Sequence, residues 1–375
     1  MILDTGGLEY DDRVRKEILS IQKIYPNVSF KAFVRLPQNM EEEGVSSYGT
    51  PYKSLYIKAR EKYPSSTKLF LKGYQLYKNV KHDLRSFDVI WTVDVESAFV
   101  TLFYKTDSLI WDLHELPMRF MDKWWKRMVL KYMFSRCKAV IHASPQRIKC
   151  LSDMGLISNP EKHFALRNYQ SDNEGDHLMG DETFDQFVRW KGERKCVYLQ
   201  GLGGDSRASY ETIASVMRTP DLYAVVLGNF DKDAHAKLKR EFRDLTDRVF
   251  FTGLILQQYI EKYVEQCYMS IVFYKNISLN NWYCDSNRLY LSILKGLPVV
   301  VGNNPTMKDI VEQYGLGVSI DDDGHDENKI RKGINDVMAH YDEYRKNALS
   351  HKEVFLWESQ EHVIKEFMDI MLKRE

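Results

Sequence analysis

The sequence predicts an α/β protein made of two parallel-sheet domains. Three observations carry that expectation. Short apolar strands alternate with helical segments along almost the whole chain, the pattern of a parallel sheet. The alternation stops once, over residues 169–193, where polar residues lose apolar periodicity. The 375 residues exceed one ordinary core and suit two.

The elements follow in order. A very short strand, Met1 to Asp4, leads through Gly6-Gly7 into a helix from Asp11 to Ile24, with Val14, Ile18, Ile21 and Ile24 on one face. Asp11 and Asp12 suit its positive end. Val28 to Leu36 reads as a second strand, residues 37–51 as a polar loop, and Tyr56 to Val80 as mostly helical. Asp88 to Asp94 is a strand ending in a carboxylate, followed by a helix from Ser97 to Lys105. Leu109 to Glu115 is another, with Asp112, His114 and Glu115 toward its carboxyl end. A helix (Met121 to Arg136), a strand (Ala139 to Ser144) and a helix (Pro145 to Met154) complete the domain 1–168, and 169–194 is the expected link.

The second domain, 195–354, repeats the plan. Cys196 to Gln200 runs into Gly201-Leu-Gly203-Gly204-Asp-Ser-Arg207; Leu222 to Leu227 and Val249 to Thr252 are strands ending at glycines, the latter at Gly253. A helix (Gln257 to Gln266) and a strand (Met269 to Tyr274) precede the segment Asp285 to Gly317. That segment reads as a helix stopped by Gly296, a fully apolar strand, a Gly302-Asn303-Asn304-Pro305 loop and a second helix. Such a unit suits a nucleotide half-site, since ligands bind at strand carboxyl ends beside helix amino termini; an αβα unit without a ligand has the same pattern. The last helix, Phe355 to Lys373, is expected near the domain junction, packing back toward the first domain. The plan is two Rossmann-like domains facing across a cleft.

Composition narrows the class. The chain is 44% hydrophobic and 28% charged, has no 18-residue apolar run, and does not open as a signal peptide. Its five cysteines show no CxxC spacing, which argues for reduced thiols in a cytoplasmic protein and against zinc. Residues 1–169 hold 27 Lys+Arg against 19 Asp+Glu, whereas residues 170–375 hold 26 against 34. The basic half either meets something anionic or attracts the acidic half. No metal site and no nucleic-acid partner are expected.

Several ordered motifs then carry a resemblance. Asp11-Asp12-Arg13-Val14 with Glu17 looks like D-x-R-V-x-x-E, and Asp112-Leu-His114-Glu115 looks like D-x-H-E. Asn168 follows Leu166-Arg167; Val249 to Gly253 reads V-x-F-x-G; Asn287-Arg288-Leu289 with Gly296-Leu-Pro298-Val-Val reads N-K-L…G-x-P-V-V; and Trp357-Glu358 precedes the last helix. The ordered set resembles the GT-B glycosyltransferases, above all the retaining family 4. The resemblance implies a transferase that takes a nucleotide sugar as substrate, needs neither cofactor nor metal, and extends a cell-surface glycan or lipid-linked saccharide. Two positions depart from the family: its paired glutamates are Tyr283 and Leu291 here, and a basic residue after the first loop glycine is Leu202. An inactive partner or scaffold protein, or a sugar epimerase, would share the fold.

Under that resemblance the donor would be held by Gly201, Gly203, Gly204, Arg207, Gly253, Asp285, Asn287, Arg288 and Leu289. Loop amides and the two arginines would offset diphosphate charge. Arg207 and Arg288 also suit solvated helix positions, and Asn287 either caps its helix or contacts phosphate. Gly201 to Ser206 does not read G-x-G-x-x-G, so the dinucleotide fingerprint fails. Asn280-Asn281-Trp282 suits sugar hydroxyls and ring faces or a plain polar loop. On the acceptor side His114 is the leading catalytic candidate, oriented by Asp112, with Asp12, Asp94 or Glu115 as the base of an inverting reaction. Residues 120–138, basic and rich in Trp and Tyr, fit an anionic membrane surface, and equally a helix packed on the sheet.

Overall fold

In a computed structural model, residues 1–4, 8, 11–34, 43–63, 68–171 and 181–373 are described. Gly6-Gly7, the first part of the expected 37–51 loop and the middle of the expected link (172–180) lie outside these residues. The chain forms two units, Met1–Asn168 with Gln360–Glu375, and Tyr169–Ser359.

The first unit holds eight strands: β1 (Ile2–Asp4), β2 (Ala32–Val34), β3 (Glu43–Val45), β4 (Pro51–Ser54), β5 (Ile90–Val93), β6 (Leu109–Leu113), β7 (Ala139–His142) and β8 (His163–Ala165). Their order is β3-β4-β2-β1-β5-β6-β7-β8, parallel except for β3 against β4. Short as it is, β1 sits mid-sheet, with Leu3 fully buried between β2 and β5. The β3/β4 hairpin replaces part of the expected loop. Edge strands such as Glu43-Gly-Val, with only partial burial, carry no apolar run for sequence to reveal. β8 escapes for a similar reason, being three residues long.

The helix expected at Ser97 begins earlier, at Asp94–Ala98, with a 3-10 turn Phe99–Leu102 behind it. Asp94 makes this possible by taking a positive φ of 58°, so that β5 turns straight into the helix. The long C-terminal helix is broken too. Two 3-10 turns, Lys352–Phe355 and Trp357–Gln360, flank Leu356, which bridges to Gln170. Only Glu361–Leu372 continues as helix, in the first unit, where Phe367 meets the Trp91 ring at 5.6 Å and Lys23 pairs with Glu361 at 2.8 Å. The Gln360 amide fastens this entry, accepting from the Arg167 N–H (2.6 Å) and donating to the Arg167 carbonyl (2.9 Å).

On β7 and β8, His142 Nε2 and His163 Nδ1 lie 2.8 Å apart with stacked rings. One N–H···N hydrogen bond satisfies both nitrogens, and protonating both rings would set two donors against each other. Burial, aided by Lys162, lowers the His163 pKa to about 4, and burial with the neighbouring His163 and Arg147 lowers His142 well below its usual 6.5. Below pH 6.5 the unfolded chain takes up protons that the folded pair refuses, so stability falls as pH drops toward about 4. Thermal melts across that range are expected to show this loss, and His163→Asn to flatten it. A melting temperature indifferent to pH there would contradict the account.

The second unit holds β9 (Lys195–Gln200), β10 (Leu222–Leu227), β11 (Val249–Gly253), β12 (Met269–Val272), β13 (Val299–Val301) and β14 (Gly317–Ser319). The order β11-β10-β9-β12-β13-β14, all parallel, is the doubly wound 3-2-1-4-5-6 arrangement. Its switch point lies between β9 and β12. β14 was not expected; Gly317 permits it, since a Cβ there would stand 2.0 Å from the Val299 carbonyl oxygen. The helices Glu327–Ala339 and Tyr341–His351 were likewise unforeseen. The expected link contains a helix, Glu182–Lys191: Asp181 caps it, and one residue, Phe187, anchors it in the core beside Tyr198 and Tyr263. A single buried anchor is too little periodicity to read.

Candidate active site

Each sheet gathers polar groups at its own switch point. In the first unit this lies between β1 and β5, and the charged residues come from three places in sequence. Asp11 caps the helix Asp12–Ile24, accepting from the Val14 N–H at 3.1 Å. Two residues on, Arg13 points inward: Nη2 donates to Asp112 Oδ1 (3.1 Å), Nη1 to the Leu166 carbonyl (2.7 Å), and Nε pairs with Glu17 (3.2 Å). Asp112, at the end of β6, is fully buried and also faces His114, with Nε2 at 3.0 Å from Oδ2. The His114 backbone N–H donates to Asp94 Oδ1 at 3.2 Å, and its Nδ1 stands 3.7 Å from Asp11. The D-x-R-V-x-x-E and D-x-H-E stretches are thus halves of one buried network.

Its electrostatics set the chemistry. Burial alone would discourage charge on His114, but the Asp112 carboxylate, with help from Asp94, outweighs it and raises the pKa to about 10. His114 is therefore an imidazolium at neutral pH, a proton donor and cation rather than a base. Asp112 is held ionised: burial opposes this, and Arg13 and His114 prevail. Burial raises the Asp94 pKa, with Asp112 and Asp11 adding and His114 opposing. Glu17 is pushed up most strongly, by burial and by Asp112, so this pair of carboxyls splits into one ionised and one tending to protonate.

The other first-unit candidates divide. Asp12 is a correction: its carboxylate is occupied by Arg15 and by Lys16 (2.9 Å), and the neighbour that approaches His114 is Asp11. Glu115 is largely exposed and pairs with Arg147 at 3.3 Å, while the same guanidinium donates to the His114 carbonyl. Arg13, Glu17 and Arg147 were not singled out as site residues. For the first two, the spacing of four along one helix face was the available signal.

In the second unit β9 ends at Gly201, whose φ of 65° turns the chain into the loop. The Ser209 hydroxyl binds the Leu202 (3.0 Å) and Gly204 (2.8 Å) carbonyls and so holds Gly203 and Gly204 in place. The Leu202 side chain points into the core, so this position offers no cation to a ligand. Arg207 lies 3.8 Å above the Tyr274 ring, and Arg288 stands 5.1 Å from the same ring. Arg288 Nη1 donates to the Gln200 carbonyl at 2.6 Å, whereas its Nη2 is buried with no hydrogen-bond partner among the described residues. Lys275, next to Tyr274, is spoken for by Asp205 (2.6 Å) and Glu211 (2.9 Å). Tyr274 and Lys275 were missed; their place just beyond the end of β12 was the signal.

One donor candidate, Leu289, needs correction, and two others have defined places. Leu289 is fully buried in the core with Tyr290 and Val299, and its N–H bonds to the Ser286 carbonyl, so it presents nothing to a ligand. Asn287 does not cap; Ser286 holds that position, and Asn287 is exposed at the first turn. Gly253 closes β11, separated from β9 by β10, and its carbonyl accepts from the Gly228 N–H at 2.9 Å. Asp285 accepts from the Tyr290 hydroxyl. The Asn280–Trp282 segment is part of a short helix, Leu279–Trp282, tied by Asn304, whose amide donates to the Tyr274 (2.9 Å) and Asn281 (3.2 Å) carbonyls. Asn304 Oδ1 and Thr306 Oγ1 are buried there with no hydrogen-bond partner among the described residues.

No family model matches the chain, and no curated protein matches it in sequence. Solved structures do. Sucrose-phosphate synthase from Thermosynechococcus elongatus superposes with a TM-score of 0.74 at 15% identity, covering 98% of both chains. HepE of Anabaena, solved with UDP, gives 0.72 at 14% identity, covering 98% of this chain and 99% of its own. A UDP-forming trehalose-phosphate synthase from Burkholderia xenovorans gives 0.69 at 10%, covering 99% and 98%. At such identities the likeness is one of architecture. The chain has the GT-B fold of these glycosyltransferases.

Proposed function

We propose that this chain is a glycosyltransferase that moves a sugar from a nucleotide-sugar donor to a glycan or lipid-linked saccharide in cell-surface polysaccharide synthesis. The carrying observation is Arg288 at the β9/β12 switch point, whose buried Nη2 has no hydrogen-bond partner among the described residues, with Arg207 on the same Tyr274 ring. A buried donor without an acceptor is costly unless a ligand supplies one. A diphosphate does, and it is the group on which negative charge develops as the glycosidic bond breaks. HepE, of the same fold, has been solved with UDP-glucose.

In this reading the second unit binds donor through the Gly201–Gly204 loop, Arg207 and Arg288. The first unit handles acceptor through His114, with Asp112 keeping the imidazolium charged and Arg13 holding the Asp112 carboxylate in place. A protonated His114 suits hydrogen-bond donation to a sugar or leaving oxygen, and a retaining course is the one the resemblance to family 4 implies. The reaction requires no resident cofactor and no metal. The protein acts in the cytoplasm against an anionic membrane surface, met by residues 120–138, where Trp124, Trp125 and Tyr132 are exposed. A second reading, an inactive GT-B partner protein, draws on Leu291, which packs with Tyr198 and Leu297 and provides no carboxylate.

A panel of nucleotide sugars decides between the two. Calorimetric binding of at least one donor, with slow hydrolysis in the absence of acceptor, is the expected result. Indifference to every donor would leave the partner-protein reading.

A further inference from the structure

Two basic, aromatic stretches far apart in sequence come together on the first unit. The helix Leu69–Val80 and the helix Trp124–Arg136 line an open groove of about 720 Å³. Phe99 and Phe120 are buried between them. Phe70 and Met128 are 60% and 58% exposed, large apolar side chains at the groove with little covering them. Nine of the twelve lining residues are apolar or aromatic, and the other three, Lys68, Arg119 and Lys126, are cationic. Asp122, which grips Lys126 at 2.9 Å, is not among them.

That division of chemistry selects the occupant. A protein segment laid in the groove would bring backbone polar groups to a wall with almost nothing to bond them. A hydrocarbon chain brings none. Cations in the lining match an anionic head joined to such a chain, and the adjacent exposed Trp124 has the amphipathic ring favoured at a membrane interface. We propose that the groove takes one acyl chain of an anionic membrane phospholipid, with the phosphate at Lys68, Arg119 and Lys126. This deepens the reading that the first unit meets a membrane, and rests on it; it is independent of whether the protein transfers sugar. The chain would anchor the protein by withdrawing one lipid tail from the leaflet, beyond lying on the surface charge.

The full-length protein is mixed with vesicles of equal phosphatidylcholine and phosphatidylglycerol, doped with a phosphatidylglycerol bearing a diazirine midway along one acyl chain. Photolysis is expected to attach the lipid at Leu69–Phe70 and Met128–Val129. Met128→Glu, at an exposed position that spares the fold, is expected to abolish those adducts and to weaken co-sedimentation roughly tenfold, the effect of exposing about two methylenes. Met128→Leu should retain both. Adducts confined to Trp124, with Met128→Glu sedimenting like the parent, would overturn the groove and leave the surface reading standing. No sedimentation of the parent protein with these vesicles would overturn both. A dimer that Met128→Glu converts to monomer, with no lipid adduct, would assign the groove to a second copy instead.

Discussion

Replacing Arg288 by alanine is expected to lower kcat/KM for the nucleotide sugar by about 10²–10³-fold, the usual loss when a donor to a developing oxyanion is removed. Nucleoside diphosphate binding should weaken by roughly ten- to a hundredfold, since one charge-assisted hydrogen bond disappears. The change also strips the Gln200 carbonyl of its 2.6 Å donor, so the second unit should lose roughly 1–3 kcal/mol. Arg288→Lys separates the effects: it keeps charge but not the forked geometry, and should restore only part of the affinity. Calorimetry with UDP and steady-state rates with the preferred donor provide the readout. UDP binding unchanged in Arg288→Ala would remove this residue from the donor site, and with it the main support for the transferase reading.

Asp112→Asn is expected to have the largest effect on stability. The carboxylate faces Arg13 at 3.1 Å and His114 at 3.0 Å in a fully buried position. Its loss leaves the buried Arg13 guanidinium without its bonded carboxylate, a defect that costs roughly 3–5 kcal/mol. It also removes the charge that raises the His114 pKa to about 10, so that value should fall by about 1–3 units. The sign of the linkage follows. A folded-state pKa above the ordinary 6.5 contributes stability that is complete below pH 6.5 and is lost as pH rises through about 10. In the variant the alkaline loss should shrink and move to lower pH. Denaturant unfolding across pH, with NMR titration of the His114 ring, measures both. A parent His114 that titrates near 6.5 would contradict the network as drawn.

These two residues also show how far the sequence could be read. Arg288 stood in a recognisable N-R-L…G-L-P-V-V stretch, and the role proposed for it as a phosphate-facing cation follows from a local pattern. Asp112 and His114 stood in another. Neither pattern shows that Arg13, 99 residues before Asp112, closes the pair. The same limit explains Asp12 and Leu289. Both lie within one residue of the side chain that matters, and only the rotation of their helices decides which one faces inward.

The sequence by itself determined the alternation of strands and helices, hence two parallel sheets, and the glycines and cations that follow β9. These are local properties: burial on both faces makes a strand continuously apolar, and a turn such as Gly201 needs a positive φ. The tertiary structure alone decided the strand order, and with it the switch points where the polar groups converge. It also decided the inward faces of Leu202 and Leu291, the charge state of His114, and the groove shared by two helices far apart in sequence. Each depends on groups brought together from remote positions. Periodicity records which face of an element is apolar, but not what that face will meet.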